Sequence, residues 1–435
     1  MKITLIMPNI SHLFPEIKLY DGCMEPLQIA VLAGLCKRND QEVVFYDDRL
    51  EEIPYDEPTD LVGITVETFS ARRSYEIARE YQERGVRVIM GGIHVSLLPD
   101  EAEMHADSIV IGDVERIWDE IMEDLKYNRL QKRYYGNGIL PQYHCFPDRE
   151  IFKGKKYLPV TLIQFSRGCK YNCTFCAVSQ YFKQTHRCRN SADVIREIES
   201  DKKRMYLFVD DNITGEKEIL KHFLRELIPM GIKWVSQASI EMTEDRELMK
   251  LMAESGCMGN LIGFDSITTE GLRSYHKAPN LINFNKYEEP IRVLRDYGML
   301  NWAAFVFGND CDSIDSLKRT VDFAVSNRFS LAYFNLMMPY PGTPIYEQLK
   351  KENRLLYDGQ WWNHPDYRYN RSAFVPAQMT PDDLSEATIK ANRDFYCYTS
   401  IGNRLLDLKT NFRNPLHAVV YLYFNLLLKK TGTSK

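Results

Sequence analysis

The chain alternates short, almost wholly apolar strands with amphipathic helices, and this alternation constrains the fold more than any other feature. In the first block the strand-like segments are residues 3–7, 42–46, 61–65, 86–90 and 108–111. Near-continuous apolar strands that are separated by helices predict a parallel sheet with helices on both faces. We therefore predict an α/β fold in which residues 1–132 form a doubly wound, Rossmann-like domain.

A second block of the same kind follows a predicted linker over residues 133–156. Its strand-like segments are residues 160–165, 205–209, 234–238, 260–264, 302–307 and 331–336. Strand–helix units repeated in this way predict a partial (β/α)6 barrel of the TIM type over residues 157–345. Residues 346–435 are predicted to form a helical region. In both architectures, functional groups are expected at the carboxyl ends of the strands.

The composition limits the classes of function. A formal net charge of −5 offers no basic face for nucleic acid, and 44% hydrophobic with 26% charged residues is typical of a folded protein. The ten cysteines stand in a chain whose first eight residues do not resemble an export signal. We therefore expect a cytoplasmic protein whose cysteines bind metal or do redox chemistry rather than form a disulfide framework.

Three cysteines directly after the first predicted barrel strand carry the strongest chemical signal. Cys169, Cys173 and Cys176 have the spacing C-x3-C-x2-C, so a loop that wraps round one compact object brings their thiolates together. Soft thiolates favour an iron–sulfur cluster or zinc. A structural zinc site normally needs a fourth ligand, which Cys188 or His186 would have to supply. Zinc binding and three unrelated core cysteines stay open on the spacing alone.

The spacing, with Phe175 before the last cysteine, resembles the signature of the radical S-adenosylmethionine (SAM) superfamily over residues 155–345. The resemblance implies that Cys169, Cys173 and Cys176 hold a 4Fe–4S cluster whose fourth iron binds the amino and carboxylate groups of SAM. One-electron cleavage of SAM would then give methionine and a 5′-deoxyadenosyl radical.

The resemblance also implies SAM contacts at the ends of later barrel strands. The predicted contacts are Asp210, Asp211, Asn212, Ser236, Gln237 and Phe307. The first three stand where the family places a polar segment that bonds the amino group of SAM, and a carboxylate suits an ammonium donor. Asp265 occupies a position where relatives often carry glutamate, which shortens the reach of that side chain. A helix cap or a core strand would explain the same residues, so those alternatives stay open.

The first domain resembles the cobalamin-binding domain of the superfamily's methylase and cyclase branch. The cofactor contacts that this resemblance implies are Thr68, Ser70, Gly91, Gly92, His94 and Gly112. Glycines at strand ends would let the backbone approach a large flat ligand. The motif Asp-x-His-x-x-Gly, which supplies a histidine to cobalt in other cobalamin enzymes, is absent. A domain that has lost the cofactor, or that binds a nucleotide, is the alternative.

The last apolar segment, residues 416–428, is flanked by Arg413, Lys429 and Lys430. It is too short to cross a bilayer. It predicts either an amphipathic anchor in a membrane interface or a buried helix that caps the barrel. The anchor would give peripheral membrane contact through residues 412–430, would make the cytoplasmic protein membrane-associated, and would favour a lipid or other apolar substrate.

These features predict a cobalamin-dependent radical SAM C-methyltransferase for a small-molecule or lipid substrate. The adenosyl radical would abstract hydrogen from an unactivated carbon, and methylcobalamin would deliver the methyl group. A reductant such as flavodoxin or ferredoxin is the expected partner, and no catalytic acid or base is assigned. The alternative is an oxidative cyclase or ring-rearranging enzyme of the same architecture, acting on a tetrapyrrole, lipid or natural product. A non-catalytic cobalamin or SAM sensor is the rival from another class.

Overall fold

The computed structural model describes residues 1–14, 23–136, 146–201, 203–283 and 287–432. The chain divides into two compact units. The first unit contains Met1–Leu162, Gln180–Lys183 and Gln360–Arg368. The second contains Ile163–Ser179, Gln184–Gly359 and Tyr369–Lys435.

A six-stranded sheet forms the centre of the first unit. Its strands are β1 (Lys2–Met7), β2 (Glu42–Asp47), β3 (Leu61–Thr65), β4 (Arg87–Gly91), β5 (Ser108–Gly112) and β6 (Arg133–Gly136). They lie in the order β2-β1-β3-β4-β5-β6, and every neighbouring pair is parallel. The order reverses between β1 and β3, so a ligand crevice is expected beyond the carboxyl ends of these two strands. The prediction of a doubly wound domain is confirmed.

Helices cover the first sheet. They are α1 (Leu27–Arg38), α2 (Ala71–Glu83), α3 (Ile93–Leu97), α4 (Pro99–Ala102) and α5 (Trp118–Lys126). The strands are apolar on both faces, and Ile3, Leu5, Leu61 and Val62 are completely buried. Continuous apolar strands are therefore explained by helices packed on the two faces of one sheet.

The second unit is also built on parallel strands. Its strands are β7 (Thr161–Ile163, within which the chain passes from the first unit to the second), β8 (Ser166–Gly168), β9 (His186–Cys188), β10 (Met205–Phe208), β11 (Lys233–Ala238), β12 (Cys257–Asp265), β13 (Leu300–Phe307) and β14 (Leu331–Leu336). The main sheet has the order β14-β13-β12-β11-β10-β7, which follows the chain as a partial (β/α)6 barrel requires. The two short strands β8 and β9 pair separately and antiparallel.

Helices alternate with these strands and then continue to the end of the described chain. They are α6 (Ala177–Tyr181), α7 (Ser191–Ser200), α8 (Lys217–Leu227), α9 (Arg246–Glu254), α10 (Thr269–Ser274), α11 (Ala278–Asn283), α12 (Glu288–Asp296), α13 (Ile314–Ser326), α14 (Pro344–Lys351), α15 (Pro381–Phe395), α16 (Tyr398–Leu405) and α17 (Pro415–Gly432). Side-chain caps explain where several begin. Asn190, Asp245, Thr268, Ser313 and Thr380 each accept a hydrogen bond from a backbone N–H of the following first turn.

Aromatic side chains fill the core of the second unit. Phe264 packs against Phe305 and Phe329 with ring centroids 5.8 Å and 5.1 Å apart, and Phe208 packs against Trp234 at 5.4 Å. Full burial of a phenylalanine side chain contributes about 1.5–3 kcal/mol. This cluster therefore holds neighbouring strands and helices in register around the carboxyl ends of the sheet.

A buried arginine ties the C-terminal helices to this core. Arg404 in α16 is completely buried, and its guanidinium donates to the backbone oxygens of Phe329 (2.9 Å), Ser330 (3.1 Å) and Phe395 (2.9 Å). It also donates to Oδ1 of Asn425 in α17 at 3.0 Å. A planar group with several fixed donors can satisfy four acceptors from three segments at once.

Three features differ from the predicted organisation. Strand β6 lies within the predicted linker, of which residues 137–145 lie outside the described chain. Residues 360–368 of the predicted helical region pack with the first unit. The hairpin of β8 and β9 was not predicted, because its residues have no apolar alternation. The exact domain boundaries stay a prediction. Within the described ranges, no helix is long and apolar enough to cross a membrane.

Candidate functional site

The three predicted cluster ligands lie on the segment between β8 and α6. Cys173 is buried, and Cys169 and Cys176 are half-buried. Burial raises the pKa of the Cys173 thiol to about 12, and the charges of Cys176 and Cys169 add to that shift. The three thiols therefore lie within electrostatic reach of one another on one loop, which is the donor set that a cluster bound by three thiolates needs.

The described residues contain no group of three or more His, Cys, Asp or Glu that could hold a single metal ion. A 4Fe–4S cluster makes no such demand, because each thiolate binds a different iron. His186, one of the side chains that could have completed a zinc site, has its Nε2 atom 2.9 Å from the carbonyl oxygen of Asn212. Its neighbour Cys188 lies 4.0 Å from His186 Nδ1.

The segment after β10 is hydrogen-bonded to the start of β8, the strand that leads into the three cysteines. Asp210 is completely buried, and its carboxylate accepts a hydrogen bond from the backbone N–H of Phe165 at 3.1 Å. The same carboxylate accepts from the backbone N–H and the hydroxyl of Ser166. Burial raises the pKa of the Asp210 carboxyl to about 7. Asp210 therefore anchors the entrance to the cysteine segment.

The next two residues extend this anchoring to the cysteines themselves. Oδ2 of Asp211 accepts from the backbone N–H of Gly168, the residue before Cys169, at 2.8 Å. The contact between Asn212 and His186 holds the opposite strand, β9. Asp210, Asp211 and Asn212 thus support both strands of the hairpin, β8 and β9. Their direct contact with SAM stays a prediction.

Replacing Asp210 with asparagine is expected to weaken cluster binding. The amide NH2 group would face backbone N–H donors that now meet a carboxylate, and an unmade buried hydrogen bond costs about 1–3 kcal/mol. We expect iron and sulfide per chain to fall after anaerobic reconstitution, with deoxyadenosine formation lower by roughly tenfold to a hundredfold. Asp315→Asn, at an exposed position, is the matched control. Unchanged iron content in Asp210→Asn would contradict the anchoring role.

The other end of the cysteine segment is held by the loop after α10. The backbone N–H of Thr174 donates to the carbonyl oxygen of Tyr275 at 3.1 Å, and the Thr174 carbonyl accepts from the N–H of Ile345 at 3.1 Å. The ring of Phe175 packs edge-on against the ring of Tyr275, with centroids 4.9 Å apart. Phe175 thus packs against a residue of the barrel and helps to position Cys173 and Cys176, which stand before and after it in the chain.

A buried ion pair lies close to the thiols and was missed by the sequence interpretation. Lys277 Nζ is 2.6 Å from Oδ2 of Asp265, and both side chains are largely buried. Burial opposes the charge of Lys277, but Asp265 and the Cys173 thiol outweigh it and raise the lysine pKa. Lys277 in turn opposes the rise in the pKa of Cys173. The lysine therefore favours the thiolate form that iron requires.

The remaining predicted SAM contacts differ in their availability. Ser236 is buried, and its hydroxyl donates to Oδ1 of Asn260 on the next strand at 2.7 Å. Gln237 is exposed at the end of β11. Phe307 is buried and packs on Phe334 with centroids 5.6 Å apart. Gln237 is thus the side chain with free access, and all three assignments stay predictions.

The predicted cobalamin contacts lie at the carboxyl ends of β3, β4 and β5. Gly92 has φ 119°, and a Cβ there would stand 2.5 Å from the carbonyl oxygen of Val66. A Cβ on Gly112 would stand 2.3 Å from the carbonyl oxygen of Gly136. The nearby backbone carbonyls of Val66 and Gly136 therefore require glycine at positions 92 and 112, whether or not a ligand binds there. A Cβ on Gly91 would make only an ordinary contact, at 3.6 Å from Val110.

Hydroxyl groups shape the same edge. Ser70 closes the turn after β3, because its hydroxyl accepts from the N–H of Glu67 at 3.2 Å and donates to the Glu67 carbonyl at 3.1 Å. Thr68 in that turn is buried. Ser96, which was not predicted, donates to the carbonyl of Gly92 at 2.9 Å and accepts from the N–H of Gly112 at 3.0 Å. It thereby links the loops that follow β4 and β5.

His94 is completely buried in a polar network rather than exposed at the strand end. Its Nε2 atom is 3.1 Å from the Tyr75 hydroxyl and 3.3 Å from Oε1 of Glu101. Trp362 Nε1 donates to the same Glu101 oxygen at 3.0 Å, and the adjacent Trp361 packs on Phe69 with ring centroids 5.0 Å apart. Burial opposes ionisation, but the hydrogen bonds from His94 and Tyr75 outweigh it and lower the pKa of Glu101.

Comparison with known proteins assigns both units. The B12 binding domain family matches residues 18–121, and the Radical SAM superfamily matches residues 163–324. Bacteriochlorophyllide d C-8(2)-methyltransferase of Chlorobaculum tepidum is 30% identical over 322 residues, which cover 69% of this chain and 70% of that protein. The chain belongs to the radical SAM superfamily, in the branch that carries a B12-binding domain. Bacteriochlorophyllide d C-12(1)-methyltransferase of the same organism is 29% identical over 400 residues, covering 89% of this chain and 86% of that protein.

A solved structure supports the fold of this radical SAM enzyme. The methyltransferase TsrM from Kitasatospora setae, solved with cobalamin and a [4Fe-4S] cluster bound, aligns with a TM-score of 0.64 and 19% identity. The alignment covers 81% of this chain and 75% of TsrM. The predicted family, fold class, enzyme class, function and cofactors are confirmed at this level. The cofactors are a 4Fe–4S cluster, SAM and cobalamin.

Proposed function

We propose that this radical SAM enzyme transfers a methyl group to a carbon atom of a small molecule, using cobalamin bound to its first unit. The observation that carries the proposal is the loop of Cys169, Cys173 and Cys176, which is held at both ends at the carboxyl edge of the barrel strands. A rigid loop at this edge stands where barrel enzymes assemble their active sites.

The chain's own residues prepare this site. Cys169, Cys173 and Cys176 would hold the cluster, and Thr68, Ser70, Gly91, Gly92 and Gly112 would line the cobalamin site, whereas His94 is buried in its network with Tyr75 and Glu101. When bound, these cofactors supply the electron that cleaves SAM and the methyl group that is transferred. Asp210 and Asp211 keep the thiols in place, and Lys277 supplies positive charge beside three thiolates. Asp211 and Gln237 stay the proposed SAM contacts.

The substrate class that we infer is a tetrapyrrole. The support is that two relatives named as bacteriochlorophyllide d methyltransferases align over 86% and 70% of their own lengths. A zinc-substituted chlorin is a fluorescent probe for this class. We expect the reconstituted protein to quench its fluorescence saturably, and a chain-length series of free fatty acids to leave the signal unchanged. Displacement of the chlorin by the fatty acids instead would favour a lipid substrate.

Product mass tests the reaction itself. The air-free protein is supplied with SAM, methylcobalamin and a chemical reductant or a flavodoxin or ferredoxin system, and products are read by mass spectrometry. A gain of one CH2 per turnover is expected. Deoxyadenosine without that gain would favour the oxidative cyclase or ring-rearranging alternative. Reduced, cluster-loaded protein that forms no deoxyadenosine would favour a sensor.

The remaining partners are also proposals. A flavodoxin or ferredoxin is the proposed reductant, and the cytoplasm is the proposed location. We also propose peripheral contact with a membrane through residues 412–430. The kind of lipid that this contact requires is inferred below from the apolar and basic side chains that α17 exposes.

A further inference from the structure

The last helix, α17, turns its polar residues towards the protein. Asn425 is completely buried, and its amide donates to the Ser330 carbonyl at 3.0 Å while its oxygen accepts from Arg404 at 3.0 Å. His417 is also buried, with Nδ1 at 3.0 Å from the carbonyl oxygen of Thr410. A helix of a protein surrounded only by water normally places such residues outward. The inward face of α17 thus carries His417 and Asn425 beside the buried Ala418 and Tyr421.

The opposite face of α17 and the turn before it are apolar and exposed. This C-terminal apolar face consists of Phe412, Leu416, Val419, Leu422, Tyr423 and Leu426. Val419 is 63% exposed and Leu426 is 47% exposed. Positions three and four apart lie on one side of a helix, so these side chains form a continuous stripe along it. Contiguous exposed apolar surface of this kind marks an interaction site.

The charge around this face has the opposite sign to that of the whole chain. Residues 408–435 contain five basic residues and no acidic residue, whereas the full chain has a net charge of −5. Lys409 is paired with Asp296 at 2.6 Å. Arg413 is exposed, and within the described part of the chain its guanidinium donates to a neutral carbonyl, that of Tyr297 at 3.0 Å, rather than to a carboxylate. Lys430 is exposed at the other end of the helix.

We propose that the C-terminal apolar face binds an anionic lipid surface, with α17 lying in the plane of the interface. The apolar stripe would enter the boundary of the acyl chains, and Arg413 and Lys430 would meet the lipid phosphates. A second copy of the chain is a poorer occupant, because pairing two such faces brings their basic residues together. The proposal names a partner for the enzyme and does not depend on which substrate it methylates.

Vesicle flotation tests this surface with the full-length, cluster-loaded protein. We expect it to float with vesicles of phosphatidylglycerol mixed with phosphatidylcholine, and to stay unbound with phosphatidylcholine alone. Added salt should weaken the binding, because it screens the basic residues. The double variant Val419→Ser/Leu426→Ser should lower the partition coefficient by about tenfold or more, since two apolar side chains lose their transfer into lipid. Lys430→Glu should lower it by about tenfold.

Matched substitutions elsewhere on the protein distinguish binding through the C-terminal apolar face from non-specific binding to vesicles. Met104→Ser removes an exposed apolar side chain from the first unit, and Lys318→Glu reverses an exposed charge on α13. Both should bind vesicles as the unmodified protein does. Deoxyadenosine formation in vesicle-free buffer should be the same for all these proteins, so failure of the membrane proposal is distinguishable from failure of the proposed reaction.

Two results would overturn the proposal. One is absence of flotation with phosphatidylglycerol vesicles at low salt. The other is concentration-dependent self-association in sedimentation velocity that Val419→Ser/Leu426→Ser abolishes, because that result would assign the face to a second copy of the chain.

Discussion

Replacing Cys173 with alanine is expected to abolish deoxyadenosine formation while cobalamin binding is retained. Cys173 is the most buried of the three thiols, and no other side chain on its loop can take its place. A cluster held by two thiolates would be lost or would no longer present one open iron. The measurements are iron and sulfide content, deoxyadenosine yield and the visible spectrum of bound cobalamin in the same air-free preparation.

Cys311→Ala is the matched control for this prediction. Cys311 is an exposed thiol outside the motif. Its loss should leave the iron content and the deoxyadenosine yield unchanged. If Cys173→Ala kept its cluster and Cys311→Ala did not, the assignment of the ligands would be wrong. If Cys173→Ala lost cobalamin as well, the variant would have failed to fold, and Cys169→Ser would then repeat the test at a half-buried position.

Replacing Arg404 with methionine is expected to destabilise the second unit by about 3 kcal/mol. Methionine fills similar space but removes the guanidinium donor from the carbonyl groups of Phe329 and Phe395, and it leaves the Ser330 carbonyl with the Asn425 amide alone. It also frees the amide oxygen of Asn425, which sits on the inward face of α17. The measurement is urea unfolding followed by circular dichroism, with unfolding of the first unit followed by release of bound cobalamin.

Arg393→Met, at an exposed position of α15, separates loss of charge from loss of the buried donors. It should change the unfolding free energy by less than about 0.5 kcal/mol. Equal stabilities of Arg404→Met and the unmodified protein would show that the carbonyl groups have other donors.

The alternation of apolar strands and helices was sufficient to predict both sheets. It worked because the strands are covered on both faces, so they are apolar at nearly every position and end at polar residues. The same rule missed β6, whose four residues lie at the edge of the sheet, and the hairpin of β8 and β9, whose residues are mostly polar. Short edge strands depend on their neighbours rather than on their own pattern.

The sequence predicted those parts of the site whose residues stand close together in the chain. The cysteine motif is local and was found at once. The partners of Asp210 lie more than forty residues earlier in the chain, so nothing near it in sequence shows that its carboxylate accepts from the backbone of Phe165 and Ser166. Lys277 and Asp265 are separated by a turn and a helix, and their pairing follows from the path of the chain after β12. The glycines after β4 and β5 were attributed to a ligand alone, and the sequence did not show that Val66 and Gly136 also require Gly92 and Gly112.

The return of residues 360–368 to the first unit affects the order in which the protein matures. During synthesis, the ribosome completes the first parallel sheet long before it reaches Trp361 and Trp362. Until then Glu101 lacks the indole donor and Phe69 lacks its covering ring. The nascent first unit thus stays incomplete, with Glu101 and Phe69 uncovered, until a segment some two hundred residues downstream has been synthesised. A fragment that stops after the first sheet would remain permanently in this immature state.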